Sequence, residues 1–212
     1  MSGEDFQEDA VLAAVKSLKT ADFPETSNIP APTANHDARP GSVEDLFQKH
    51  HGRVFRTAYR VTGSAADAED VLQTVFLRVA RGHETAATAD NTEAYFSRAA
   101  VNASLDLLRS RKRSRAVPMD DLENDASLAP FISKQNPETH HEDRELRKLI
   151  REAVAKLGET AGQMFALRYF EGYGNAEIAQ MMNTSALVVG VTLHRARGRL
   201  RKGIGRYLRS SV

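Results

Sequence analysis

The 212-residue sequence has no cysteine and no tryptophan. Without cysteine there is no disulfide framework, iron–sulfur cluster, thiolate zinc site or cysteine nucleophile. No apolar run approaches the ~18 residues of a membrane span, and the start, MSGEDFQEDA, lacks the basic-then-apolar order of a secretory signal. The expectation is a cytoplasmic protein that does not insert into a bilayer. Signatures of catalysis are also missing: there is no Gly-rich phosphate loop and no H-E-x-x-H. The adjacent pairs His50-His51 and His140-His141 cannot both face one metal from a helix, and of the first pair one is expected buried and one wet. No catalytic residue, metal site or cofactor is predicted, and the chain is not expected to be an enzyme.

What is present is a divided charge. The formal net charge is only +1, yet residues 1–48 hold three basic against nine acidic residues. Arg109 to Arg115 carries five basic residues in seven, and Leu193 to Arg209 carries seven with no acid. Two separate basic clusters fit a polyanion touched at two places, although either alone could be a solvated helix end.

Proline divides the chain in the same way. Pro24, Pro30, Pro32 and Pro40 sit among small polar residues, so 1–42 is expected to be a disordered acidic leader, with at most a marginal helix over Asp9 to Leu18. Pro118, Pro130 and Pro137 mark a flexible linker over 116–139. Between and beyond lie two blocks, 43–115 and 140–209, whose apolar residues recur at three and four with almost no alternation. The fold class predicted is all-α, as two small helical domains.

In the first block a helix is expected over 43–62, ended by Gly63. Ser64 caps a second, with the stripe Ala68, Val71, Leu72, Val75, Phe76 and Val79. A third follows over 92–113, with Asp90 and Glu93 placed as a capping box. Its Phe96, Ala100, Ala103 and Leu107 make an apolar face, while Tyr95, Arg98, Asn102, Asp106, Arg109 and Arg113 share another. A wall that is aromatic, polar and cationic can stack bases and hold phosphates, as single-stranded DNA requires. An ordinary wet face, with Asp106 paired to an arginine, is the other reading.

In the second block four helices are expected, over 140–157, 160–170, 175–182 and 185–207. Asn183-Thr184-Ser185 joins the last pair, with Asn183 able to turn left-handed and Ser185 able to cap. Ile178, Ala179, Met182, Val188, Val191 and Leu193 are expected to pack the pair as a helix-turn-helix, its second helix presented to a major groove.

VFRTAYRVTGSAADAEDVLQTVFLRVAR (54–81), EAYFSRAAVNASLDLLRSRKR (93–113) and LGETAGQMFALRYFEGYGNAEIAQMM…LHRARGRLRK (157–202) together resemble the extracytoplasmic-function sigma factors of bacterial RNA polymerase. The resemblance covers about 43–207 and implies a three-helix region 2-like domain and a four-helix region 4-like domain. It implies that Asp70 and Gln73 meet the clamp helices of the polymerase's largest subunit. Thr74 and Leu77 lie on that same face, opposite the apolar stripe, which could otherwise be a solvated one.

The resemblance further implies that Tyr95, standing where the family usually has Trp, holds the minus-ten element together with Arg98, Asn102, Arg109, Arg113 and the loop 82–91. Asp106 is either a DNA contact or an internal strut. Glu177, Ser185, Thr192, His194, Arg195 and Arg197 would serve the minus-thirty-five element, and the second block would seat on the polymerase flap. An anti-sigma factor is the further partner implied.

Two departures stand out. Gly174-Asn175 replaces the usual Ser cap before Glu177-Ile178-Ala179. The family's Thr-Val-Lys-Ser-Arg reads Val188-Val189-Gly190-Val191-Thr192, so two cations are missing and base readout there is weak, altered or lost. The leader is either a solubilising tail or a mask for the basic clusters. A stand-alone helix-turn-helix regulator is the alternative function; it leaves Asp70, Gln73 and the aromatic-basic helix without a role.

Overall fold

A computed structural model describes the backbone over 41–82, 91–116 and 137–210, with side chains over 41–82, 91–114 and 144–204. The expected leader up to residue 40, most of the loop 82–91 and most of the linker lie outside the described residues.

Helix α1, Val43–Thr62, starts where the Ser42 hydroxyl accepts from the Asp45 N–H at 3.2 Å. It stops at Gly63, whose φ of 76° only glycine adopts readily and whose N–H closes on the Tyr59 carbonyl. In α2, Ala65–Ala80, Ser64 caps by accepting from the Asp67 N–H at 3.3 Å. The stripe Ala68, Val71, Leu72, Val75, Phe76 and Val79 is buried as the period requires. In helix α3, Thr92–Ala116, the Asn91 side-chain oxygen accepts from the Ala94 N–H at 3.0 Å, while Asp90 of the expected capping box lies outside the described residues.

These three helices close on a first core that includes Val54, Phe55, Phe76, Phe96 and Ala100, with Phe76 and Phe96 stacked at 5.2 Å between centroids. His50 stacks on Phe96 at 4.7 Å and His51 on Phe47 at 5.1 Å. Both histidines are half-buried, which corrects the expectation of one inside and one outside. The His50 ring lies flat on the core Phe96, and the His51 ring, flat on the partly buried Phe47, donates its Nδ1–H to the Phe47 carbonyl at 2.9 Å.

The second block comprises α4 (Pro137–Ala155), α5 (Glu159–Ala166), a single wider π-type turn over Leu167–Glu171, α6 (Asn175–Met181) and α7 (Ala186–Ser210). Asn183 takes the left-handed conformation at φ 49°, and the Ser185 hydroxyl accepts from the Val188 N–H at 3.3 Å. Ile178, Ala179 and Leu193 are buried between α6 and α7 as expected. Val188 and Val191 are exposed, against expectation, and Val189 is fully buried in their place. The reason is phase: Val189, Leu193, Ala196, Leu200 and Ile204 recur at four, three, four and four. Val191 falls roughly 160° from Val189.

The two blocks do not stand apart. Val61, Val101 and Leu105 of the first block are buried in the same core as Ile150, Phe165, Phe170 and Leu200 of the second. Helix α3 thus serves both cores, with Phe96 and Ala100 turned to one and Val101 and Leu105 to the other. Close approach is permitted at Gly162, where a Cβ would lie 3.2 Å from the Arg109 guanidinium and 3.4 Å from Leu105.

Candidate nucleic-acid interface

The outer face of α2 is open. Asp70 and Gln73 are exposed, Thr74 is half-exposed and Leu77 is 52% exposed, all opposite the stripe that packs on α1 and α3. A leucine held outward beside an acid and an amide offers a partner helix an apolar anchor with polar neighbours. Asp67, on the same helix, is instead buried and ion-paired to Arg111 of α3. Its burial raises the carboxyl above its ordinary value, with Arg111 opposing.

On α3 the six residues expected to share a face do so, but in different company. Tyr95 is half-buried, its ring edge-on to Phe96 at 5.3 Å. The Arg98 guanidinium donates to the Met181 carbonyl of α6. Asn102 is half-buried, its side-chain oxygen enclosed without a hydrogen-bond partner among the described residues. Asp106 is exposed and pairs with Arg109 at 3.2 Å, the geometry of a strut. Arg109 also reaches across to the second block, donating to the Ala155 carbonyl at 3.2 Å and the Gly158 carbonyl at 3.1 Å. Arg113 is exposed. The cationic side of α3 is therefore partly covered by α4, α5 and α6.

Other groups also tie the blocks together. Glu171, in the π-type turn, accepts from the Thr57 hydroxyl and from Arg60, each at 2.9 Å, and its side chain is only 4% exposed. The Tyr173 hydroxyl donates to Ser97 at 3.0 Å. Arg151 donates to the Arg60 carbonyl at 3.1 Å, and burial lowers it to about 10, so it remains charged at neutral pH. The one available hint is an acid placed directly after the buried Phe170 in RYFEGY.

On the second block, Glu177 caps its own helix: its carboxylate accepts from the Gly174 N–H at 2.6 Å. This supplies half of a capping box, the half that a glycine at the cap position still allows. Ser185, which caps α7, and His194 and Arg195 on it are exposed, whereas Thr192 and Arg197 are half-buried. No acid lies between Ala186 and Ser210. Among the described residues no group of three acids and histidines could hold a metal, and no helix is long and apolar enough to cross a membrane.

Two family profiles match the chain: Sigma-70 region 2 over residues 46–114 and Sigma-70 region 4 over residues 147–200. Among characterised proteins, the ECF RNA polymerase sigma factor SigE of Mycolicibacterium smegmatis is 29% identical over 201 residues, which is 92% of this chain and 76% of that protein. The RNA polymerase sigma-E factor of Streptomyces coelicolor is 28% identical, over 75% of this chain and 84% of its own length. RNA polymerase sigma factor CarQ of Myxococcus xanthus is 28% identical, over 80% and 92%. With both regions in order and their helices built as described, the chain belongs to the extracytoplasmic-function sigma factors of bacterial RNA polymerase.

Proposed function

We propose that this sigma factor divides promoter recognition between its two blocks. The α2 face of Asp70, Gln73, Thr74 and Leu77 binds the clamp helices of core polymerase. The Tyr95-to-Arg113 face of α3 holds the opened minus-ten strand, and α7 lies in the upstream duplex. The observation that carries this reading is an open, mixed apolar and polar face on α2 beside an aromatic-cationic face on α3. A stand-alone regulator would use only α6 and α7.

Strand opening needs no nucleotide hydrolysis. Unstacking costs a few kcal/mol per step, and capture of bases on Tyr95 and of phosphates on the arginines offsets it. Arg98 and Arg109 already donate to carbonyls of the second block, so the blocks separate before α3 takes up DNA. An anti-sigma partner would act on this closed-to-open balance, in the cytoplasm where polymerase and promoters reside.

The test is co-migration of the full chain with core polymerase. The wild type should co-elute, and the double variant Asp70→Ala/Gln73→Ala should separate from the core while keeping its helical circular dichroism. A chain that binds duplex DNA but never follows the core enzyme is a stand-alone regulator.

A further inference from the structure

The first two turns of α7 present an apolar surface where a groove-reading helix ordinarily carries polar side chains. Leu187 is 77% exposed, Val188 48% and Val191 43%, and among the described residues no other element covers them. Leu187 and Val191 stand a turn apart, on the side of the helix opposite the buried Val189 and Leu193. His194, Arg195 and Lys202 continue the same outward side, all exposed. One strip is therefore apolar at its N-terminal end and cationic beyond it.

That order selects the occupant. A strip whose charge is all of one sign, on a helix with no acid, matches a polyanion. Leucine and valine can neither donate to nor accept from a base edge, so they strand polar groups on either kind of base pair, and only an apolar group on the base can favour one pair over another. The one apolar feature in the major groove is the thymine 5-methyl group.

We infer that Leu187, Val188 and Val191 read the upstream promoter element by packing on thymine methyls, with Arg195 and Lys202 holding the flanking phosphates. Leu187 and Val191 are about 6 Å apart along the helix axis, which covers roughly two base-pair steps. Specificity then comes from the methyl contact, which thymine supplies and cytosine does not. This inference rests on the sigma-factor reading of the second block, and it assigns that block a base preference.

The experiment uses holoenzyme assembled from core polymerase and the full chain. The upstream element is selected from a randomised duplex, and each selected thymine is then replaced singly by deoxyuridine, which removes only the methyl. Affinity should fall about three- to fivefold at one or two positions within two steps of each other, the effect of one buried methyl. In the variant Leu187→Ala/Val191→Ala, altered only on the surface, the uracil penalty should disappear. Replacing a neighbouring cytosine by 5-methylcytosine should tighten binding by the wild type alone.

Uracil substitution without effect in an assembled, promoter-binding holoenzyme overturns the inference while leaving the sigma-factor reading intact. It would assign the apolar strip to a protein surface. Failure of holoenzyme to assemble overturns both.

Discussion

Single residues set how tightly the two blocks meet. Gly63 combines a φ of 76° with a neighbour: a Cβ there would lie 2.5 Å from the Arg151 guanidinium. Gly63→Ala should therefore lower unfolding free energy by about 1–2 kcal/mol from backbone strain, and more if Arg151 is displaced from the Arg60 carbonyl. Urea denaturation measures it. His50 gives a pH signature. Burial against Phe96 holds its imidazole below the ordinary value of 6.5, with Glu93 opposing and Arg53 and Lys49 assisting. The folded protein binds this proton less tightly than the unfolded chain, so stability is complete above about pH 6.5 and is lost as pH falls below it. Urea curves at pH 7.5 and 5.5 should differ less for His50→Leu than for the wild type.

At the scale of elements, α3 carries the densest set of competing roles. Arg109 is shared between Asp106 and two carbonyls of the second block, Arg111 is held by Asp67, and Arg113 is exposed. Replacing Arg113 by Ala should flatten the salt dependence of promoter-complex formation by about 0.7–0.9 log units, one phosphate contact, with no change in fold. An unchanged slope would remove Arg113 from the DNA-binding face.

The stripe of α2 and the caps at Ser64 and Ser185 were legible in the sequence, because period and polarity agree there. The phase of α7 was not. Leu187, Val188, Val189, Val191 and Leu193 place apolar groups around most of the first two turns, so periodicity cannot select the buried side. Packing against α6 makes the choice, through Val189.

At the scale of the whole molecule, two helical groups readable as separate blocks share a core and a set of polar ties. Glu171 lies 114 residues from Thr57 and 111 from Arg60. No local pattern announces such contacts, and an acid inside RYFEGY is the sole trace. Glu171→Ala removes the acceptor that both partners use from a buried pair. The docked arrangement should weaken by on the order of 3 kcal/mol. Small-angle scattering should then report a larger radius of gyration with helical content unchanged, and the variant should bind opened promoter DNA more readily. An unchanged radius would mean that the apolar contacts of Val61, Val101 and Leu105 suffice to hold the blocks together.

One chain, through two helical blocks, gives core polymerase its promoter. Run-off transcription from a randomised promoter library, with purified core enzyme in the presence and absence of this chain, tests it most directly. The predicted result is transcripts that depend on the chain and begin a fixed distance downstream of a shared pair of elements. Transcription indifferent to the chain, while the chain alone still binds duplex DNA, would contradict it.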